Sequence, residues 1–149
     1  MVVMGCDKAG TDWMPVLSQK LTEMGIENKI LYDGTRDGCD YTDAAFMVAE
    51  EVAAGRAEKG VLICGTGIGM SIAANKVRGI RASVCDNCYS AKMTVVHNDS
   101  NILCMGARVL GIELALKITE EYFSAAFEAG GRHERRVRAI IAKENEQLP

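Results

Sequence analysis

An α/β fold, a Rossmann-like three-layer α/β/α sandwich with a mainly parallel sheet, is predicted by three observations. Short apolar runs alternate with helix-spaced segments along the whole chain. Each candidate strand is followed by a helical stretch, which favours parallel pairing through right-handed crossovers and a sheet covered on both faces. Aromatic residues make up only 5% of the chain, and the small residues in their place suit close helix–sheet packing.

MVVMGC (1–6) is an apolar run ending at a glycine-containing turn, so it reads as the first strand. DWMPVLSQKLTEM (12–24) has helical spacing, with Asp12 as N-cap and Pro15 tolerable in the first turn. IENKILY (26–32) reads as a strand and DGTRDGCDY as the loop after it. TDAAFMVAEEVAA (42–54) reads as a helix capped by Thr42, followed by the strand GVLIC (60–64) and a helix over 68–76. GIRASVC (79–85) and NILCMG (101–106) are two further strands, with a helical stretch at 89–96 between them. Helices over 111–127 and 132–146 close the chain.

The 149 residues suit a single domain, 1–149, long enough to bury about two-thirds of the unfolded surface. A net charge of −3 argues against nucleic acid or an anionic membrane as partner. No apolar stretch approaches the ~18 residues of a membrane helix, and the opening MVVMGCDKAG lacks the features of a signal peptide. A cytoplasmic location is expected. Six cysteines are read as reduced, unlinked thiols, because a chain with this much core does not need a disulfide scaffold. Cys85-Asp86-Asn87-Cys88 is a single CxxC with no second ligand pair, which disfavours zinc and leaves a thiol-redox pair as the rival reading.

In open α/β sheets, ligands bind beyond the carboxyl ends of the strands. Cys6-Asp7-Lys8, Asp33, Cys64 and Cys85-Asp86 all follow strands, so the site is expected along that edge. There VLICGTGIGMSIAANK (61–76) sets Cys64 against Gly65, Gly67 and Gly69. It is not a dinucleotide fingerprint, since the third glycine position holds Met70, and it has no P-loop Gly-Lys-Ser/Thr. It offers backbone N–H groups ahead of a helix, suited to an oxyanion or phosphate, with a thiol beside them. A buried structural cysteine is the alternative, and it describes Cys6, Cys85 and Cys104 equally well. His97, in VVHNDSN, lies between a helix and a strand; His133, in GGRHERRVR, reads as solvated. Arg132 and Arg136 are four apart on one helical face, where two guanidinium groups can clamp a phosphate. Arg135 and Arg138 occupy another arc, solvated or paired; the alternative for the whole run is a basic solvent face.

GCDKAG (5–10), DGT (33–35), ICGTGIGMSIAANKVRGIRA (63–82), YSA (89–91), HND (97–99), GARVLG (106–111) and GGRHERRV (130–137) together resemble the type B ribose-5-phosphate isomerases and galactose-6-phosphate isomerase subunits. The resemblance runs nearly end to end. It implies aldose–ketose isomerisation of a phosphorylated sugar through an enediolate, without metal or organic cofactor, by a homodimer whose sites draw on both chains. Ribose 5-phosphate is the expected substrate; galactose, allose or tetrose phosphates, and a non-catalytic binding subunit, are the alternatives. By the same resemblance Cys64 would be the base, Thr66 would hold it reactive, and the 65–69 amides would stabilise the enediolate oxygen. His97 would assist ring opening; Asp7, Tyr41 and Asn98 would contact sugar hydroxyls; Arg132 and Arg136 would bind phosphate. The chain departs from the usual GCDHAG at Lys8, from DYPD at DYTD (40–43), and carries a bulky Trp13 after the first loop.

Overall fold

The computed structural model describes residues 1–38 and 40–146; Cys39, in the predicted loop, lies outside them. The order is β1 (Val2–Cys6), a 3-10 turn (Lys8–Gly10), α1 (Trp13–Glu23), β2 (Asn28–Asp33), α2 (Tyr41–Ala53), β3 (Lys59–Cys64), α3 (Ile68–Ala74), β4 (Ala82–Val84), α4 (Cys88–Asn98), β5 (Ile102–Gly106), α5 (Ile112–Ser124) and α6 (Arg132–Glu146). The five strands form one sheet in the order β2-β1-β3-β5-β4, and every pairing is parallel. From β1 the chain passes first to β2 on one side and then to β3 on the other. The crevice expected for a ligand therefore opens between the carboxyl ends of β1 and β3.

Successive strand side chains point to opposite faces, so each central strand feeds two cores. Val61 and Ile63 join Met14 and Leu21 of α1, Val95 of α4 and Ile118 of α5. Leu62 and Cys64 join Ala44 and Val48 of α2 and Met70 and Ala73 of α3. This parity aims Cys64 at the α2–α3 face and leaves it 5% exposed. Among the described residues, no helix is long and apolar enough to cross a membrane.

Three boundaries differ from the sequence reading for reasons the side chains and turns supply. α2 is capped by Asp40, not Thr42: the Asp40 carboxylate accepts from the Tyr41 amide at 2.7 Å, and the Asp43 carboxylate accepts from the Asp40 amide at 2.7 Å. That capping box starts the helix early and makes Tyr41 its first residue. Asp12 does sit at the N-cap of α1, but its side chain makes no capping bond. α3 stops at Ala74 because the Asn75 side chain turns to β4, bonding the Ala82 amide and carbonyl at 2.8 Å each. β4 begins three residues later than expected for the same reason, since Gly79 turns with φ +83°.

α4 runs back from the carboxyl end of β4 to the start of β5. Its last turn, with His97 and Asn98, therefore lies at the opposite edge of the sheet from Cys64, which pairs with Gly106. Arg81, just before β4, fixes that end: it bonds the Asp99 carbonyl at 2.8 Å and the Asp99 carboxylate at 2.7 Å. Four residues of strand separate Ile102 from Gly106, a rise of roughly 13 Å. α6 packs outside α4 at the same far edge.

A candidate active site in two halves

The half at the carboxyl edge is built around backbone. Cys64 ends β3, and its Sγ accepts a hydrogen bond from the Gly67 amide at 3.1 Å. Gly67 has φ +78°, and a Cβ there would stand 3.0 Å from the Met105 backbone, so the turn that aims this amide excludes a side chain. Gly69 is required for another reason: its Cβ would meet the Tyr41 ring at 2.8 Å, so Tyr41 lies directly on the first turn of α3. Among the described residues, Thr66 makes no hydrogen bond to Cys64. Its Oγ1 accepts from the Ile68 amide at 3.3 Å and shapes the loop. The Thr66 and Gly69 amides have no acceptor among the described residues and are available to an anion. α3 is only seven residues long, so these loop amides rather than a long helix dipole supply the positive character.

Asp7 follows β1 at the same rim. Its amide bonds the Ile63 carbonyl at 3.1 Å, and its carboxylate accepts from the Ala9 amide at 2.9 Å. Lys8 begins the 3-10 turn and is exposed beside it. Arg108 was not singled out in the sequence. It bonds the Gly65 carbonyl through its amide at 3.0 Å, and its side chain lies over Gly65, with Cδ 3.4 Å from where a Cβ would be. The available signal was the arginine of GARVLG, directly after a strand paired with the one that carries Cys64.

Three cysteines, Cys6, Cys85 and Cys104, are reluctant to ionise. Burial, with Asp7 and Asp33 adding to it, pushes the Cys6 thiol up to about 12, outweighing a hydrogen bond to Thr11. Burial and then Asp86 push Cys85 up to about 12. Cys104 is raised by complete burial. Among the described residues all five cysteines are free, and a thiol as reluctant to ionise as Cys85 is a poor member of a redox pair.

The half at the far edge is built from side chains. His97, in the last turn of α4, stacks on His133 of α6 with ring centroids 4.1 Å apart and planes 5° from parallel. His133 is buried, contrary to the solvated reading. Burial, then His97 and Arg132, push its pKa down; Glu128 opposes and Arg136 adds to the lowering. Arg132 and Arg136 are exposed, and among the described residues neither pairs with a carboxylate, whereas Arg138 pairs with Glu134. Asn98 is exposed at the helix end and also lines a cavity of about 650 Å³ along β4, with Arg78, Arg81 and Ile140.

The ligand atoms of His97, Glu128 and His133 lie within 4.8 Å of one another. Stacked rings, however, confine their in-plane lone pairs to two nearly parallel planes that do not converge on one ion, and two arginines add positive charge. The cluster is a ring stack on an arginine-bearing helix rather than a metal cage. One chain thus brings Asp7, Lys8, Tyr41, Cys64, Thr66 and the glycines together. It holds His97, Asn98, Arg132 and Arg136 together elsewhere, and does not join the two groups.

Residues 2–140 match the family model described as Ribose/Galactose Isomerase. The ribose-5-phosphate isomerase B of Escherichia coli (strain K12) is 46% identical over 145 residues, covering 96% of this chain and 95% of that protein. The solved structure of Clostridium thermocellum ribose-5-phosphate isomerase B has a TM-score of 0.93 at 42% identity, covering 99% of each chain. That of the Mycoplasma genitalium enzyme with bound ribulose 5-phosphate has a TM-score of 0.92 at 33% identity, covering 98% of this chain and 97% of that one.

Proposed function

The chain belongs to the ribose/galactose isomerase family, and from that premise we propose how its residues work. It is a sugar-phosphate aldose–ketose isomerase, interconverting ribose 5-phosphate and ribulose 5-phosphate. Cys64 takes the proton from C2 of the open-chain aldose and returns it to C1, while the hydroxyl proton passes from O2 to O1. The intermediate is an enediolate whose oxygen is more negative than the carbonyl it came from. Donors fixed before the reaction stabilise that charge more than they stabilise the substrate. The Thr66 and Gly69 amides are such donors, and Arg108 beside Gly65 adds a cation.

The single observation that carries this reading is the Gly67 amide donating to Cys64 Sγ at 3.1 Å, from a turn whose positive φ and contact with the Met105 backbone exclude a side chain at Gly67. Tyr41 and Asp7 border the same space and contact sugar hydroxyls. His97 opens the sugar ring, Asn98 holds a hydroxyl, and Arg132 and Arg136 bind the phosphate.

These last four lie at the far edge of the same sheet, so they serve the Cys64 of a second copy. A two-fold pair exchanging these groups makes two equal composite sites. Ile68 and Ile72, 55% and 57% exposed on α3 beside the loop, give that second copy an apolar surface to cover. We read the protein as a cytoplasmic, single-domain homodimer. The test is isomerisation of ribose 5-phosphate in D₂O. The enediolate path incorporates solvent deuterium at the carbon receiving the proton, and Cys64→Ala is expected to lower turnover and incorporation together by about 10²–10⁴-fold. Isomerisation by the variant at the wild-type rate would refute the assignment.

A further inference from the structure

His133 lies outside the machinery just described, yet it is the most buried polar side chain of α6 and is stacked flat on His97. We propose that His133 is a positioning residue: a neutral ring that fixes the plane in which His97 meets the cyclic sugar. The proposal rests on the reading of His97 as the ring-opening group.

His97 occupies the last turn of a helix and is half-buried, so its own backbone does little to restrain rotation of the ring. A stacked partner with planes 5° apart removes that rotation, because tilting either ring costs contact along the whole face. Every group around His133 bears on whether it can do this uncharged. Its Nε2 accepts from Arg132 Nε at 3.4 Å, which leaves the proton of the neutral ring on Nδ1. His97, Arg132 and Arg136 disfavour a second positive charge there. The Glu128 carboxylate favours one, but at 3.9 Å from Nε2 it is beyond hydrogen-bond reach. A neutral His133 leaves His97 free to take up and release a proton without a cation stacked on it. Arg132 touches His133 and belongs to the phosphate clamp, so the same helix turn that grips the phosphate also sets the ring-opening group.

The test compares His97→Ala, His133→Ala, His133→Phe and the double variant His97→Ala/His133→Ala, each with its melting curve, on ribose 5-phosphate. His133→Ala is expected to lower kcat about tenfold with KM nearly unchanged, since misplacing a reacting group costs rate rather than binding. His133→Phe, which restores a flat ring, recovers most of the loss. In the His97→Ala background, His133→Ala causes no further loss, because its only route of action is already gone. Equal losses in both backgrounds, or His133→Phe no better than a folded His133→Ala, would overturn the proposal. Should His133→Ala fail to fold, His133→Gln takes its place, and Gln performing as well as Phe would refute the stacking role. A His97→Ala enzyme with wild-type turnover would instead sink the assignment of His97. Loss in His97→Ala without loss in His133→Ala counts against positioning alone.

Discussion

The two edges of the sheet hold the two halves of the site by opposite means. At the carboxyl edge, Cys64 is fixed by main chain: strand pairing to Gly106, an amide bond from Gly67, and a loop pressed against Met105 and Tyr41. At the far edge, His97, Arg132 and Arg136 are side chains on helix surfaces, held by a ring stack and a few polar contacts. A backbone site is rigid, as charge stabilisation in a transition state requires. A side-chain site can adapt to the end of a substrate that does not react. In the proposed reading, proton transfer at carbon belongs to the first half, and ring opening and phosphate binding belong to the second.

Removing the thiol should give the largest effect. Cys64→Ala is expected to lower turnover about 10²–10⁴-fold while substrate still binds, as for loss of a general base. Steady-state kinetics with a binding measurement checks this, and weakened binding at normal turnover would merge the two halves' roles. Next, Arg136→Ala should raise KM about tenfold or more with kcat less affected, since a charge-assisted hydrogen bond is worth roughly 1.5–3 kcal/mol. A fall in kcat alone would move Arg136 into the chemical half.

Much of the first half was legible in the sequence because its physics is local. Glycines at alternate positions after a strand, with a cysteine in front, specify a tight loop whatever surrounds it. The second half was legible as residue types but not as a place. Nothing in VVHNDSN or GGRHERRVR states that His133 is buried against His97, because that contact joins two helices distant in sequence. Arg108 escaped for a similar reason, since its meaning lies in the pairing of β5 with β3. The Thr42 cap expected from sequence is replaced by Asp40 because either residue type can cap, and the bond from the Asp40 amide to Asp43 settles which one does.

Lys8 offers a finer comparison within the first half. It is an exposed, fixed cation at the rim, where the resemblance to GCDHAG leads to the expectation of a histidine. Lys8→His is expected to change the ratio of kcat/KM between five-carbon and six-carbon sugar phosphates several-fold, a contact-level difference. An unchanged ratio would make this departure neutral.

The smallest expected effect belongs to the far edge and concerns stability against pH. Burial, with His97 and Arg132 beside it, holds the His133 pKa below the value near 6.5 of an unfolded histidine, Glu128 opposing and Arg136 adding to the lowering. The unfolded chain therefore binds more protons as pH falls through that range, and stability falls with it. Glu51, Glu120 and Glu134, all held below their usual range by partners, stay charged over the same interval and do not contribute. The drop in Tm between pH 7.5 and 5.5 should be smaller in His133→Phe than in wild type, and an equal drop would show that His133 does not carry it.

The central claim is that one active site takes its thiol from one chain and its arginines from another. It is tested by mixing inactive Cys64→Ala with Arg136→Ala under conditions that exchange subunits, and assaying well below the KM of the arginine variant, where that variant alone is slow. If the halves come from different chains, one site of each mixed dimer collects both defects and the other is intact. Activity then returns toward about half of wild type per mixed dimer, as two-fold symmetry requires. No recovery, with subunit exchange demonstrated, would mean that each chain builds its own site and would contradict the account.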